Sequence, residues 1–189
     1  NSSTPLTVAE TASVFGEMLT FKSILNNEKN LKEKKALLAN KVEDMLNTVV
    51  RQIAFFEFEK KIHSQRKISE LSADKICNIW MDIQRESLGP SIDFEEEYKY
   101  YWTYIPHFIH SPFYVYAYAF GDCLVNSLYG VYEEGPEDFD KKYIALLESG
   151  GSKRYKELLK PFNLDPSKAD FWKKGILVIE NLINQLEKL

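Results

Sequence analysis

The sequence has 189 residues, 44% hydrophobic and 28% charged, a balance that excludes an intrinsically disordered chain and suits a folded globular one. A formal net charge of −4 argues against nucleic acid as a main partner, since phosphate recognition needs a basic face. No apolar run reaches the roughly 20 residues of a membrane span, so no membrane partner is expected.

Read in chain order, the punctuation is helical throughout. Thr4-Pro5 suits an N-cap with proline at the first helical position, and the helix it opens is expected to run to about Leu25 and stop at Asn26-Asn27. Residues 31–65 repeat apolar side chains at helical spacing (Leu38, Val42, Met45, Val49, Ile53 and Phe56) against a charged outer face. Ser72 starts a further helix with Ile76, Ile79, Trp80 and Ile83 inward, ended by Gly89-Pro90. Asp93 with Glu96 three residues on predicts a capping box for a short helix. Pro106 and Pro112 predict a loop over 104–113, after which helical spacing resumes over 113–132. Shorter helices follow at about 136–148 and 153–159. Asp165-Pro166 then opens a last helix with Trp172, Ile176, Ile179, Ile183 and Leu186 on one side. No alternating strand pattern is present. The expectation is an all-α fold of about seven or eight helices, with residues 1–189 as a single helical unit.

Cys77 and Cys123 are the only cysteines, each inside an apolar helical pattern, and are expected to be buried reduced thiols, which favours a cytoplasmic location. They are too few for a zinc finger. Nothing at residues 1–4 resembles a signal peptide. In the glycine-rich "ESGGSK", the spacing of a phosphate loop is missing, and a helix C-cap followed by a serine N-cap explains it better.

Aromatic residues make up 14% of the chain and crowd into 94–132. Within that stretch His107 and His110 lie in the proline-bracketed loop, followed by Tyr114, Tyr116 and Tyr118. Tyr114 and Tyr118 share a helical face, and Tyr116 points roughly away. Phenols with an ordinary pKa near 10 remain donors at neutral pH, so two of them with an imidazole could surround a carbonyl oxygen that becomes an oxyanion during acyl attack. The other reading is an aromatic stripe that fills a core. Glu10 is open in the same way: Thr7-x-x-Glu10 fits a capping box, yet a carboxylate on the apolar stripe two turns before Glu17 also suits a metal ligand. With only His63, His107 and His110, and no E-x-x-H pair, the sequence lacks a two-histidine, one-glutamate zinc site of its own and the paired motifs of a di-iron bundle.

Three stretches, "VAETASVFGE", "PHFIHSPFYVYAYAFG" and "LLESGGSKRYKELL…FWKKGILVIENLI", occur in an order that resembles the C-terminal third of oligoendopeptidase F, which belongs with thimet oligopeptidase among the zinc metallopeptidases. The family carries an H-E-x-x-H helix upstream of the first stretch. The resemblance therefore implies that this chain is the C-terminal part of a larger helical catalytic domain, a fragment inactive alone, whose partners are the missing N-terminal part and an oligopeptide. It implies a zinc metalloendopeptidase that cleaves internal peptide bonds of oligopeptides. Glu10 is then the third zinc ligand, with Ser13 and Glu17 at later positions of the same motif. His107, Tyr114 and Tyr118 are the transition-state donors, and His110 and Tyr116 contact substrate. Tyr155 departs from the proline that many relatives carry.

Apolar surface around Val14, Phe113 and Tyr118 is expected to be uncovered and to favour self-association. The alternative of another class is a non-catalytic helical module that binds a peptide or partner helix in an aromatic groove.

Overall fold

The computed structural model describes residues 11–189. Among the described residues every regular element is helical: α1 Thr11–Asn27, α2 Leu31–Leu46, α3 Gln52–Arg66, α4 Ala73–Leu88, α5 His107–His110, α6 Tyr116–Glu133, α7 Phe139–Ser149, α8 Tyr155–Leu159 and α9 Ala169–Glu187. A π-turn at Asn47–Arg51 joins α2 to α3, and 3₁₀ segments lie at Glu96–Tyr104 and Lys160–Phe162. The all-α expectation holds. Two of the nine α segments are single short turns, of four and five residues.

Caps follow local chemistry. Ser72 accepts a hydrogen bond from the Lys75 N–H at 3.3 Å and starts α4, and Gly89, at φ +70°, ends it by donating to the Arg85 carbonyl. Gly150, at φ +48°, closes α7, so the C-cap in "ESGGSK" is present; the residue at the cap of α8 is Arg154 rather than a serine.

Four further expectations are corrected. Pro106 starts a helix instead of breaking one, because proline lacks only an N–H that the first turn leaves unpaired in any case. Glu95, with no side-chain cap, precedes the 3₁₀ segment, so Asp93 and Glu96 form no capping box there.

The third concerns the stripe of residues 31–65. It is buried as expected from Leu38 to Val49, but then passes to Ala54, Phe55, Phe58 and Glu59, while Ile53 is 48% exposed. The π-turn adds a residue to the helical repeat and re-phases everything after it. In α9 the buried face is Phe171, Gly175, Val178, Ile179 and Leu182, and Ile176 is 51% exposed. Gly175 marks that face because the backbone comes close there: a Cβ on it would stand 2.8 Å from the Cys123 carbonyl oxygen.

The chain forms two compact units, one of the described residues up to Met45 with Phe120–Leu189, the other of Leu46–Ala119. In the first, Phe15 of α1 packs against Tyr129, Tyr132, Phe139 and Tyr143, with ring centroids 4.5–6.1 Å apart. Glu17, the second acid of the α1 stripe, pairs with the buried Lys41 of α2. In the second, Trp80 is fully buried between Phe55 and Phe58 and donates its Nε1–H to the Tyr98 carbonyl at 3.0 Å. Phe94, Tyr98, Trp102 and Phe108 pack on this core, so part of the aromatic crowd is core filling. Both cysteines are free and buried. No helix of the described residues is long and apolar enough to cross a membrane.

Candidate active site

The second unit brings together three of the residues singled out from sequence. Pro106 fixes the start of α5 and places His107 at its first position. Ser111 ends that turn, the Tyr114 N–H donates to the Ser111 carbonyl, and α6 begins at Tyr116. The Tyr118 hydroxyl lies 3.3 Å from His107 Nε2, and which atom donates follows from the imidazole tautomer. The Tyr114 ring stacks on the His107 ring at 5.4 Å and meets the Tyr118 ring at 5.3 Å. Three side chains thus form one polar–aromatic group. Burial, and then the neighbouring Tyr114, push the Tyr118 phenol above its ordinary pKa, so it keeps its proton at neutral pH.

Tyr118 nevertheless remains 41% exposed, which is not the environment of a core filler. Beside it lies a cavity of about 310 Å³ lined by Asn47, Thr48, Arg51, Gln52, His107 and Tyr118. His110 and Tyr116 stand apart from the group: both are exposed, and the Tyr116 ring packs on Phe56 instead. Glu10, with Thr7 of its capping-box alternative, lies outside the described residues.

A residue not anticipated from sequence supports this group. Glu59 is 2% exposed and its Oε1 accepts the Phe113 N–H at 2.8 Å. Phe113, at φ +62°, holds a left-handed conformation that a bulky residue adopts only under constraint. Its ring packs on His63 at 4.9 Å. Burial pushes the Glu59 carboxyl above the usual carboxylate range, against the Phe113 N–H and the charges of His63 and His107, and its Oε2 has no partner among the described residues. The carboxylate thereby anchors the turn immediately before Tyr114. The signal was present as a glutamate four residues after Phe55, but the π-turn hid its phase.

Among the described residues no group of three or more His, Cys, Asp or Glu could hold a metal ion. The donor set they offer is one of hydrogen-bond donors for a carbonyl oxygen, and it does not make a zinc site by itself.

The sequence pattern of peptidase family M3 matches residues 1–177, and the chain belongs to that family. It is 34% identical over 177 residues to an oligoendopeptidase F homolog of Borreliella burgdorferi, covering 93% of this chain and 29% of that protein. It is 30% identical to the plasmid oligoendopeptidase F of Lactococcus lactis subsp. cremoris, over 98% of this chain and 31% of the relative. The chain therefore spans about 30% of the length of these curated relatives. A solved structure from Chlamydophila abortus superposes with a TM-score of 0.90 at 29% identity, covering 99% of this chain and 31% of that one. The fold is also that of oligoendopeptidase-F from Enterococcus faecium, with a TM-score of 0.88 at 24% identity over 96% of this chain and 35% of that chain.

Proposed function

We propose that this chain is part of a zinc metalloendopeptidase that hydrolyses internal peptide bonds of oligopeptides in the cytoplasm, and that it supplies the hydrogen-bond donors for the scissile carbonyl. The observation that carries the reading is the 3.3 Å contact of Tyr118 with His107, flanked by the Tyr114 ring. Zinc, when bound, supplies an electrophile and an activated water, and Glu10 is the one ligand that this chain contributes.

Tyr118 donates its phenolic proton to the carbonyl oxygen as negative charge develops there. With Nε2 protonated, His107 donates to the Tyr118 oxygen, turning the phenol proton outward and strengthening it as a donor. Tyr114 orients the imidazole by stacking and adds a second phenol. His110 and Tyr116, both exposed, contact substrate away from the reacting carbonyl.

The test uses a protein that carries this chain together with an H-E-x-x-H segment. Tyr118→Phe should lower kcat by roughly 10²–10³ with zinc content unchanged. Glu10→Ala should lose zinc. A Tyr118→Phe variant with full kcat would overturn the donor assignment, and zinc retained in Glu10→Ala would overturn the ligand assignment. The 189-residue chain alone should cleave no oligopeptide. Its exposed Phe113 and Tyr118 should favour association, read as a mass that rises with concentration in light scattering.

A further inference from the structure

We propose that the cavity beside the His107–Tyr118 pair is a carboxylate subsite built by the π-turn, with Arg51 as its anion-binding side chain and the carboxylate of a peptide as its ligand. The inference rests on the peptidase reading above for its choice of ligand, and on the geometry of the π-turn for its location.

Asn47, Thr48, Arg51 and Gln52 are pairs one turn apart, so their side chains share one face of the rod, and that face walls the cavity with His107 and Tyr118. Among the described residues Arg51 is the only permanently charged one that lines the cavity, and none of the lining residues is an acid. In a chain of net charge −4, a cavity whose described lining holds a cation and no carboxylate favours anions.

The Arg51 guanidinium lies 5.3 Å from the Phe55 ring centroid, and among the described residues it makes no ion pair. Contact with the ring restricts the side chain, and a guanidinium held against a ring can still present N–H groups to a bidentate partner. The other wall residues of the rod, Asn47 and Thr48 of the π-turn and Gln52 at the start of α3, are neutral amides and a hydroxyl, which complete the solvation of an anion without competing for its charge. π-turns are costly departures from the helical ladder, and they recur at functional sites.

The volume, about 310 Å³, is at the lower end of ligand pockets and suits a terminal residue or one acidic side chain rather than a length of peptide. Its neighbourhood to Tyr118 gives the subsite a meaning. A carboxylate held by Arg51 sits at a set distance from the carbonyl that Tyr118 would bind, so the subsite measures from a negative charge to the bond that is cut.

The 189-residue chain, uniformly ¹⁵N-labelled and in low salt, tests this by NMR titration. The probes are N-acetyl-trialanine with a free carboxylate, the same peptide as its C-terminal amide, and N-acetyl-Ala-Glu-Ala-amide. The free acid should shift the Arg51 Nε–H and the amides of 47–52, and bind roughly tenfold or more tightly than its amide. Arg51→Gln should remove that difference, and Arg51→Lys should keep part of it. A stronger response to the trialanine acid assigns the subsite to a peptide's C-terminus. A stronger response to the glutamyl peptide assigns it to an acidic side chain, and either supports the anion site.

Equal binding of acid and amide overturns the proposal, as does an acid preference that survives in Arg51→Gln. Loss of the Arg51→Gln spectrum through unfolding leaves Arg51→Lys to decide: a preference for acid that persists but weakens supports the charge-binding site, and one that is unchanged or absent overturns it. The readout needs neither metal nor turnover, so it succeeds or fails independently of the peptidase reading.

Discussion

Tyr118 and His107, eleven residues apart in sequence, meet at 3.3 Å through hydroxyl and imidazole, and Tyr114 packs its ring on both. Tyr114 is one of the causes that hold the Tyr118 phenol above its ordinary value, after burial. Tyr114→Phe should therefore move the Tyr118 pKa down towards ordinary tyrosine, and only part of the way. ¹³C-tyrosine NMR in alkaline titration measures this; an unchanged or higher Tyr118 pKa contradicts the coupling.

Glu59 and the Phe113 turn form a second test. Glu59→Ala removes the acceptor of a buried backbone N–H and leaves a cavity, and should cost about 2–4 kcal/mol in urea unfolding. Glu59→Gln keeps a carbonyl acceptor at the same reach and should cost clearly less. Because burial raises the Glu59 pKa, the ionised carboxylate is the disfavoured form in the fold, and its contribution to stability declines as pH rises. The glutamine variant should accordingly compare better with the parent at high pH than at low. Hydrogen exchange at the Phe113 amide should speed up in the alanine variant and change little in the glutamine one.

Asp122 of α6 carries the clearest pH dependence. Burial pushes its carboxyl up from 3.8 to about 6, against Lys41 and the Asn126 amide, which donates to Oδ2 at 2.7 Å, with Glu17 adding to the rise. A raised carboxyl pKa makes a contribution that is complete below about 4 and lost as pH climbs through about 6. Asp122→Asn should stabilise the protein at pH 7.5, by on the order of 1–3 kcal/mol, and gain little at pH 4. Equal effects at both pH values, by denaturant unfolding, would contradict the assignment.

Gly175→Ala opposes two effects. Alanine is the better helix former by about 1 kcal/mol in an open helix. Here its methyl group would stand 2.8 Å from the Cys123 carbonyl oxygen and 3.1 Å from Ser127 Oγ, so α6 and α9 must separate. The steric term should win, with a net loss of about 1–3 kcal/mol and a lower Tm.

Sequence punctuation located nearly every helix, because Ser72, Gly89 and Gly150 act through contacts within a few residues. The grouping of Tyr114 with Tyr118 was readable for the same reason, being a matter of four positions. Pairing with His107 needed the resemblance, since it depends on how α5 folds back towards α6. What stayed hidden was phase. Ile53 was expected inside and Glu59 was passed over, because no composition signal marks a π-turn in "NTVVR". In α9 attention to large apolar side chains missed that the smallest residue, Gly175, defines the packed face. Glu10 carries most of the metal argument and lies outside the described residues, so its role rests on the resemblance and on the zinc experiment.

The five residues of Asn47–Arg51 make residue count itself a structural parameter of this rod. A substitution there edits one wall of a cavity. One residue fewer there is what an unbroken α-helix needs to keep Glu59 at its anchor and Phe55 on Trp80, whereas one residue more would turn α3 by about 100° around its own axis and carry both away. This stretch should therefore tolerate the loss of a residue better than the gain of one.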